Sequence, residues 1–387
     1  MTDRAGGLDP RLIWLMVGNI AIGSGVLAPA GMMTSLMAGF SMTAPEIGRL
    51  IVWGAVVLCI GAPVLAFLTN RIERRTLLAG CLAVYVVGHA ASAFASDFQG
   101  LLMARLAMIS AAAVFTPQAA SAIGLFIPAE RRAPAVTFVF LGWSLAAAFG
   151  LPAMTLAADL AGWRYAYAGL AAFSALALAG VWFTLPRGLF ADRLSLGSWG
   201  RVLTHPAILT VLAVTALQLV GQFALYPYLA AELARRTGAE AGAIAFILSL
   251  YGVAGLTGAA IATRLVGRIG VQNGVLICLA SILSGVILWA LLGGSVPGAA
   301  LAVFVWGLGF AAGTSLQQAR LITVDPMLSS ASVALNTSVL YAGQAGGSAI
   351  GGALIAAQGQ VWLPVFAGVL VVVAMAVSLA AQRVLKA

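Results

Sequence analysis

The chain has 387 residues, of which 62% are hydrophobic and only 8% are charged, and its formal net charge is +9. Soluble domains carry about 25% charged residues, so this composition excludes a water-soluble globular protein. The basic residues are scattered over short gaps between apolar stretches, which excludes a nucleic-acid-binding face and indicates signals for membrane topology.

Apolar stretches follow one another along almost the whole chain. A helix that crosses a bilayer needs roughly 20 apolar residues, and the sequence contains twelve such stretches. In chain order, the predicted spans 1 to 12 cover residues 11–38, 45–69, 76–96, 98–127, 133–158, 162–185, 206–233, 240–263, 271–293, 297–324, 329–357 and 361–382. The sequence therefore predicts an all-α polytopic membrane protein with twelve transmembrane helices.

A polar stretch between spans 6 and 7 divides the spans into two equal sets. We expect an N-terminal six-helix bundle at residues 1–185, a cytoplasmic linker at residues 186–205 and a C-terminal six-helix bundle at residues 206–387. Three residue matches recur at one constant offset between the sets: Pro29 with Pro227, Thr116 with Thr314, and Pro128 with Pro326. The bundles are therefore predicted to be pseudo-repeats, an architecture that transporters build around a site near the membrane midplane.

Most of the basic residues lie in every second gap between spans. Arg131 and Arg132 follow span 4, and Arg264 and Arg268 follow span 8. The positive-inside rule assigns such gaps to the cytoplasm. We therefore expect a multi-pass protein of the cell inner (cytoplasmic) membrane with both termini in the cytoplasm.

The gap after span 2 carries a motif. Residues 66–78 read AFLTNRIERRTLL, which resembles the loop motif of the major facilitator superfamily. Arg71, Arg74 and Arg75 match that motif, whereas Asn70 stands at its acidic position. The resemblance to the superfamily covers the full length of the chain. Within the superfamily, the chain most resembles the drug and metabolite efflux branch, which contains drug:H+ antiporters and arabinose-efflux-like proteins.

A second copy of the loop motif follows span 8. It keeps Arg264 and Arg268 but has Thr263 at the acidic position. In the family, the acid caps a neighbouring helix and helps to latch the inner gate; Asn70 and Thr263 can accept backbone N–H groups but supply no charge. Glu130 is then the expected ion-pair partner of the loop arginines. The alternative is that all these charges act only as topology signals.

Two further spans carry residues that resemble family motifs. Arg105 in span 4 stands in the place of the family's arginine motif, and Gly150 and Pro152 in span 5 resemble the glycine-proline motif of the antiporters. The resemblance implies an exporter that exchanges its substrate for protons.

Ionisable side chains deep in a span are costly and are functional hypotheses by default. His89 in span 3 and Arg105 in span 4 both lie roughly 10 Å below the outer surface on the predicted boundaries. His89 either carries the coupling proton or is a neutral structural histidine. Arg105 either attracts an anionic substrate, or takes part in proton coupling by shifting the pKa of a neighbouring group, or is a structural arginine that bonds backbone carbonyls. Glu46, at the outer end of span 2, is a further candidate for proton coupling.

Uncharged polar residues cluster on spans 1, 7, 10 and 11. By the family resemblance, spans 1, 4, 7 and 10 line the central cavity. Amides, hydroxyls and aromatic faces suit sugars, nucleosides or similar metabolites, and hydrogen bonding between helices is the alternative. The predicted substrate cavity comprises Asn19, Arg105, Gln218, Gln222, Tyr226, Gln317, Asn336 and Tyr341.

Together these features predict a proton-coupled exporter of a small metabolite or drug. The predicted spans carry no acid at their centres, which favours a neutral or anionic substrate. Two alternatives remain open: a proton-coupled importer or facilitator of a sugar- or nucleoside-like solute, and a non-transporting membrane sensor or scaffold.

Enzyme motifs such as HExxH, GxSxG or a phosphate-binding loop are absent from the sequence. We therefore expect no enzymatic activity, no metal and no cofactor. The expected partners are a small-molecule substrate, protons and the lipid bilayer, without nucleic acid, and the expected state is a monomer.

Overall fold

A computed structural model describes residues 9–69, 71–190, 197–325 and 328–386. Within these ranges the secondary structure is helical, and twelve of the described helical segments are long and apolar enough to cross a membrane. The prediction of an all-α protein with twelve transmembrane spans is confirmed.

Eight α-helices form the first six spans. Spans 2, 3, 4 and 6 are single helices, whereas spans 1 and 5 each consist of two. The helices are α1 (Pro10–Gly31), α2 (Met33–Phe40), α3 (Ala44–Leu68), α4 (Arg74–Ala93), α5 (Phe98–Phe126), α6 (Ala129–Leu145), α7 (Leu151–Leu160) and α8 (Trp163–Thr184).

In the second six spans, span 7 consists of two helices and the others are single helices, and α9 lies within the predicted linker. The remaining helices are α9 (Gly197–Thr204), α10 (Pro206–Leu225), α11 (Leu229–Thr237), α12 (Ala241–Ile269), α13 (Val271–Leu292), α14 (Val296–Val324), α15 (Ser329–Ala356) and α16 (Trp362–Lys386). The predicted end of span 8 at residue 263 was wrong, because α12 continues through the second loop motif. It ends at Gly270, whose φ of +78° favours glycine.

Proline interrupts the first span of each set of six. Pro29 lies inside α1, and Pro227 lies in the 3-10 turn Tyr226–Tyr228 that follows α10. Proline has no N–H and its ring clashes with the preceding helical turn, so it weakens or ends a helix. In both sets a short helix, α2 or α11, continues beyond the break, as expected for pseudo-repeats.

A five-residue π-helical turn, Ala146–Gly150, joins α6 to α7 within span 5. The N–H of Leu151 bonds the carbonyl of Ala146, five residues earlier. Pro152 has no N–H with which to bond the carbonyl of Ala148, four residues earlier. The missing α-helical bond explains why the helix widens at this point.

Twelve consecutive spans place both described chain ends and α9 on one side of the membrane, which we call the terminal face; the other side is the opposite face. Spans 1–6 pack on one another, as α4 does on α5 and α8, and form the N-half. Spans 7–12 form the C-half, in which α10 packs on α15 and α16. Between the halves, α3 packs on α15, and α12 packs on α7 and the π turn.

Tyr228 closes the contact between the halves near the opposite face. It is buried between Gly48 of α3 and Gly352 of α15, and its hydroxyl donates a hydrogen bond to the Ser348 carbonyl at 2.8 Å. A side chain at either glycine would collide with the Tyr228 hydroxyl. The absence of side chains at these two positions therefore allows Tyr228 of the C-half to pack directly against α3.

Three glycines of α15 recur every four residues and face α10. A Cβ atom at Gly343 would lie 2.7 Å from the Leu219 Cβ, and Cβ atoms at Gly347 and Gly351 would overlap backbone atoms of α10. Small residues on one face allow helices in a membrane to approach closely. These glycines therefore hold α10 and α15 together within the C-half.

The loop after α3 is attached to the start of the predicted linker. Glu73 Oε1 accepts a hydrogen bond from the Gly188 N–H at 2.7 Å, and the Arg74 N–H donates to the Leu189 carbonyl at 2.8 Å. Gly188 has a φ of +77°, a conformation that favours glycine. The first residues after span 6 are therefore held on the N-half.

Replacing Glu73 should reveal a small pH-dependent contribution of this attachment. Hydrogen bonds from the Thr76 hydroxyl and the Gly188 N–H hold the pKa of Glu73 below its ordinary value. Such a carboxylate stabilises the fold above its unfolded-state pKa, and this contribution is lost as the pH falls through the lowered folded-state pKa. We expect Glu73→Gln to reduce the free energy of unfolding at neutral pH by at most about 1 kcal/mol, because the site is solvent-exposed.

Melting curves of Glu73→Gln and the unmodified protein, recorded from neutral to acidic pH, check this expectation. The melting temperatures of the two proteins should become equal once the pH is below the lowered pKa of Glu73. Arg71→Gln, which removes one exposed charge from the same loop, is the control. A stability difference that is independent of pH would contradict the assignment.

Candidate functional site

A cavity lies between the two halves, on the terminal-face side of Tyr228. From the N-half, α1 contributes Val26, Leu27 and Ala30 to its lining, α3 contributes Ile51, Gly54, Ala55 and Leu58, and α5 contributes Arg105. From the C-half, the lining consists of Phe223, Tyr226, Pro227 and Gln344. Arg105 is the one charged residue of this lining, and the polar side chains beside it are the Tyr226 phenol and the Gln344 amide.

Arg105 is 2% exposed and bonds the backbone of two neighbouring helices. Its Nε donates to the Leu50 carbonyl of α3 at 2.7 Å, and its Nη1 and Nη2 donate to the Gly25 and Val26 carbonyls of α1 at 3.1 and 2.9 Å. The Gly25 carbonyl has no helical partner four residues later, because Pro29 lacks an N–H. Arg105 supplies that partner and joins α1, α3 and α5 at the break in span 1.

Gly54 places no side chain between the cavity and the Arg105 guanidinium. A Cβ atom at Gly54 would lie 3.4 Å from both Nε and Nη2 of Arg105, and both residues line the cavity. A guanidinium carries five N–H groups, and the three carbonyls take one each. The cavity therefore contains a cation with two donors that these bonds leave unused.

Aromatic rings form and support the C-half wall of the cavity. The Tyr226 ring centroid lies 5.5 Å from that of Phe223, 4.6 Å from that of Tyr251 and 6.1 Å from that of Trp306. Tyr251 also contacts Phe310, with centroids 5.6 Å apart. Ring pairs at such distances stabilise each other, so the buried rings fix the two that line the cavity.

His89 lies behind Arg105 rather than in the cavity lining. Its ring is fully buried, with its centroid 5.9 Å from that of Tyr167 and 5.1 Å from that of Tyr85. A Cβ atom at Gly25, whose carbonyl binds Arg105, would lie 2.7 Å from His89 Nε2. Neither ring nitrogen has a hydrogen-bond partner among the described residues. The structure therefore brings His89 and Arg105 into one layer around Gly25.

Two predicted cavity residues of the C-half bond to neighbouring helices instead of lining the cavity. Gln222 Oε1 accepts a hydrogen bond from Trp306 Nε1 at 2.7 Å, and Asn336 Oδ1 accepts one from the Thr215 hydroxyl at 2.9 Å. Gln218 is buried beside α14 and is likewise absent from the lining. The structure gives the first two amides a packing role, and contact of all three with substrate stays a prediction.

Gln317 belongs to a buried polar cluster near the terminal face. Its Oε1 accepts a hydrogen bond from Arg320 Nη1 at 3.0 Å, and the same nitrogen donates to the Ser378 hydroxyl of α16 at 3.2 Å. Gln272 Nε2 of α13 donates to the Ser378 carbonyl at 2.7 Å. These bonds connect α13, α14 and α16, away from the cavity lining.

Asn19 joins three helices of the N-half. Its Nδ2 donates to the Val139 carbonyl at 3.1 Å, and its Oδ1 accepts from the Thr116 hydroxyl at 2.8 Å. Trp143 Nε1 donates to the same hydroxyl at 3.1 Å. The side chain is buried, so the structure places Asn19 in hydrogen bonding between helices.

The two remaining candidates occupy different places. Tyr341 of α15 packs against the apolar core of the N-half, at the boundary between the halves. Glu46 is exposed and accepts hydrogen bonds from the Thr43 N–H and hydroxyl at 2.8 and 2.7 Å. The bond from the Thr43 N–H to the Glu46 carboxylate is one half of a capping box at the start of α3. The structure therefore gives Glu46 a capping role, and its role in proton coupling stays a prediction.

Comparison with known proteins identifies the family. Residues 13–326 match the sequence profile of the Major Facilitator Superfamily. The chain belongs to the major facilitator superfamily. It is 28% identical to the inner membrane transport protein YdhP of Escherichia coli (strain K12), with 92% of each chain covered. It is 24% identical to a probable sugar efflux transporter of Mannheimia succiniciproducens, with 88% of this chain and 86% of the relative covered.

Solved structures share the superfamily fold. A D-xylose-proton symporter superposes with a TM-score of 0.76 at 17% identity, covering 95% of this chain and 96% of the symporter. The nucleoside transporter NupG superposes with a TM-score of 0.77 at 13% identity, covering 97% of this chain and 100% of NupG. A peptide transporter POT superposes with a TM-score of 0.78 at 14% identity, covering 99% of this chain and 95% of the peptide transporter. The family and its relatives confirm that the protein is a multi-pass inner-membrane transporter rather than an enzyme.

The superfamily loop motif lies at the terminal face. Arg71 is exposed, Arg74 is buried and donates through Nη1 to the Ile72 carbonyl at 3.3 Å, and the Arg75 guanidinium lies 4.5 Å from the centre of the Trp182 ring. Residue 70 and the side chain of residue 130 lie outside the described part of the chain. The predicted roles of Asn70 and Glu130 therefore stay predictions.

The second copy of the superfamily motif is helical. Arg264 and Arg268 are exposed on α12. The Thr263 hydroxyl donates to the Ala260 carbonyl at 2.8 Å within the same helix. The structure therefore places Thr263 inside α12, and its capping of a neighbouring helix stays a prediction.

The helix-5 motif lies where span 5 meets spans 1 and 8. Gly150 ends the π turn, and a Cβ atom there would overlap the Ser24 hydroxyl of α1. Pro152 is buried at the start of α7. On the other side of the π turn, a Cβ atom at Gly252 of α12 would overlap the backbone of Ala148. The motif therefore shapes a contact between the halves rather than the cavity surface.

The predicted site left out four residues that the structure makes prominent. Gly54, Phe223 and Gln344 line the cavity, and Arg320 is buried in α14. Gln344 was visible as a polar residue within span 11. Arg320 was visible as a basic residue before the end of span 10, three residues after Gln317.

Proposed function

We propose that the protein is a proton-coupled exporter of a small neutral or anionic solute, and that it works by alternating access. The observation that carries this proposal is a cavity between the two halves whose lining contains one cation, Arg105, and no acid. Such a lining disfavours cationic solutes, because an uncompensated like charge would face the substrate in a medium of low dielectric constant.

The direction in which the cavity opens follows from the topology that we propose. The positive-inside rule makes the terminal face cytoplasmic. Tyr228 and the contact of Gly252 with Ala148 then close the halves toward the periplasm. When the halves separate on the terminal face, the cavity would receive its solute from the cytoplasm, as an exporter requires.

Alternating access requires the two halves to rock as units around the cavity. Arg105 ties α1 and α3 to α5 within the N-half, and the glycines Gly343, Gly347 and Gly351 tie α15 to α10 within the C-half. The contacts of Tyr228 and Gly252 are the ones that separate when the opposite face opens. The division into bundles at residues 185 and 206 and a monomeric state belong to the same proposal, because one chain contains the whole cavity.

Export and proton coupling have separate support. A relative is named as a probable sugar efflux transporter, and Gly150 and Pro152 resemble the antiporter motif. His89 is the residue that we propose for the proton. It is buried in the Arg105 layer, and its ring nitrogens have no hydrogen-bond partner among the described residues, so both remain available for proton exchange when water enters.

Inverted membrane vesicles that contain the protein test the proposal. An acid interior should drive uptake of a transported solute, chosen from a radiolabelled panel of sugars, nucleosides and organic anions, and a protonophore should abolish that accumulation. Accumulation only in right-side-out vesicles would assign the importer alternative. Uptake that is indifferent to the gradient would assign a facilitator.

We expect His89→Asn to abolish accumulation against a gradient while leaving solute exchange without a gradient intact. Asparagine cannot bind and release a proton near neutral pH. His205→Asn is a matched control, because His205 is the other histidine of the chain and its Nδ1 accepts the Ile208 N–H at the start of α10, a capping role that asparagine can fill. Normal accumulation by His89→Asn would remove His89 from the coupling mechanism.

A further inference from the structure

We infer that the central cavity binds an amphipathic organic anion, with one anionic group at Arg105 and an apolar body along the wall toward Tyr226. This inference rests on the proposed transport function and narrows its substrate class. It follows from a count of the polar groups that the cavity offers, from the opening over Arg105 and from the shape of the remaining lining.

Few polar groups in the cavity are free to bind a solute. Arg105 keeps two N–H groups beyond its three carbonyl bonds. The Gln344 amide and the Tyr226 hydroxyl line the cavity without a hydrogen-bond partner among the described residues. The amides of Gln222 and Asn336, which would suit a sugar, lie outside the lining and bond Trp306 and Thr215.

A sugar would therefore find too few well-placed hydrogen-bond partners in the cavity. Each buried hydroxyl that loses water without gaining a partner costs about 1–3 kcal/mol. The hydroxyls of a pentose or hexose point in different directions around the ring, whereas the free polar groups of the lining belong to only three side chains. A carboxylate needs only two or three convergent donors. The unused guanidinium N–H groups of Arg105 and the Gln344 amide provide donors of that kind.

Gly54 gives the anion access to Arg105. The missing Cβ would lie 3.4 Å from Nε and Nη2, against the guanidinium. Because Gly54 itself lines the cavity, a solute atom can occupy the place that a side chain would fill. Glycine at this position is thus a determinant of anion specificity, and it leaves the carbonyl bonds of Arg105 untouched.

The apolar body of the solute has a matching surface. Val26, Ile51 and Leu58 line the N-half side, and Phe223 and the Tyr226 ring line the C-half side. Aromatic and aliphatic walls around a small number of polar groups are typical of sites for solutes that are mostly apolar. The cavity has a volume of about 30 Å³ in this state, room for one or two water molecules, so an aromatic or branched carboxylate would contact both walls once the halves move apart.

The test uses the purified full-length protein and three probes that share one ring: phenylacetate, phenylacetamide and phenethylammonium, with xylose as a polyol. Dissociation constants are measured by calorimetry in detergent. We expect phenylacetate to bind at least about tenfold more tightly than phenylacetamide, the effect of about one charge-assisted hydrogen bond, and phenethylammonium not to bind.

Gly54→Ala tests the access to Arg105. We expect it to weaken phenylacetate binding about tenfold and to change phenylacetamide binding less than about twofold. Gly61→Ala on the same helix is the matched control: its Cβ would also lie 3.4 Å from its neighbours, but Gly61 is not part of the lining. Ile51→Asp, a second variant, places an acid in the lining and should transfer the preference from phenylacetate to phenethylammonium.

Failure of this inference can be separated from failure of the proposed function. If xylose binds more tightly than phenylacetate, or if Gly54→Ala weakens both phenyl probes equally, the substrate class is overturned while vesicle transport still stands. If phenylacetate does not bind, the inference is also overturned. Loss of all solute uptake by vesicles would instead overturn the transport proposal.

Discussion

Replacing Arg105 by alanine should abolish solute flux and lower the stability of the folded protein. The Leu50 and Val26 carbonyls lie within helices that can continue to bond them, but the Gly25 carbonyl faces Pro29 and loses its partner. A buried carbonyl without a partner costs about 1–3 kcal/mol. We therefore expect the free energy of unfolding to fall by about that amount, in addition to the loss of the cavity cation.

Arg105→Lys separates the charge that Arg105 places in the cavity from the hydrogen bonds that it makes to backbone carbonyls. Lysine keeps the charge but places three donors on one nitrogen, which cannot span the carbonyls of α1 and α3 as the guanidinium fork does. We expect flux to remain near background in this variant as well. Arg320→Lys, at a buried arginine outside the cavity, is the control and should retain flux for each folded molecule. Normal flux by Arg105→Lys, measured in proteoliposomes, would show that charge alone suffices.

Adding one methyl group at Gly252 should shift the protein toward the state that is open at the opposite face. The Cβ atom of Gly252→Ala would overlap the backbone of Ala148 across the boundary between the halves. Overpacking of this kind costs about 1–3 kcal/mol, which corresponds to a change in the ratio of two conformations of about 5- to 150-fold. Transport should slow, because the conformation that is closed at the opposite face becomes less stable.

Cysteine labelling measures this shift. A single cysteine at Ala30, in the lining, reports access from the opposite face once the three native cysteines have been replaced. Labelling should be faster with Gly252→Ala than without it. Gly255→Ala, one turn along α12, is the control, because its Cβ would lie 3.6 Å from the nearest neighbour. Equal labelling of all three proteins would show that this contact does not control the opening.

The twelve spans were predictable because the lipid bilayer permits few backbone structures. Backbone groups must be bonded within each helix, so apolar stretches of sufficient length become spans whatever their details. The internal breaks were less predictable. Pro29 and Pro227 were noted as a repeat, yet the sequence did not reveal the π turn before Pro152 or the continuation of α12 through its polar end.

The site was predictable only in part. Arg105 and Tyr226 line the cavity, as their charge and polarity in apolar spans suggested. Asn19 and Gln222 form bonds between helices instead, because helical spacing shows which residues share a face but not which helix that face meets. Gly54 gave no signal, since its importance lies in the side chain that it lacks beside Arg105.

The π turn of span 5 makes the number of residues in this segment as important as their identity. If Ala146–Gly150 were regular α-helix with the same number of residues, α7 would be rotated by about 100° and shifted by about 1.5 Å relative to its present position. The Thr155 hydroxyl would then leave the Gly31 carbonyl, to which it now donates at 2.9 Å. Insertions and deletions in this segment are therefore constrained, and a relative with a regular helix there must be one residue shorter to preserve the same contact.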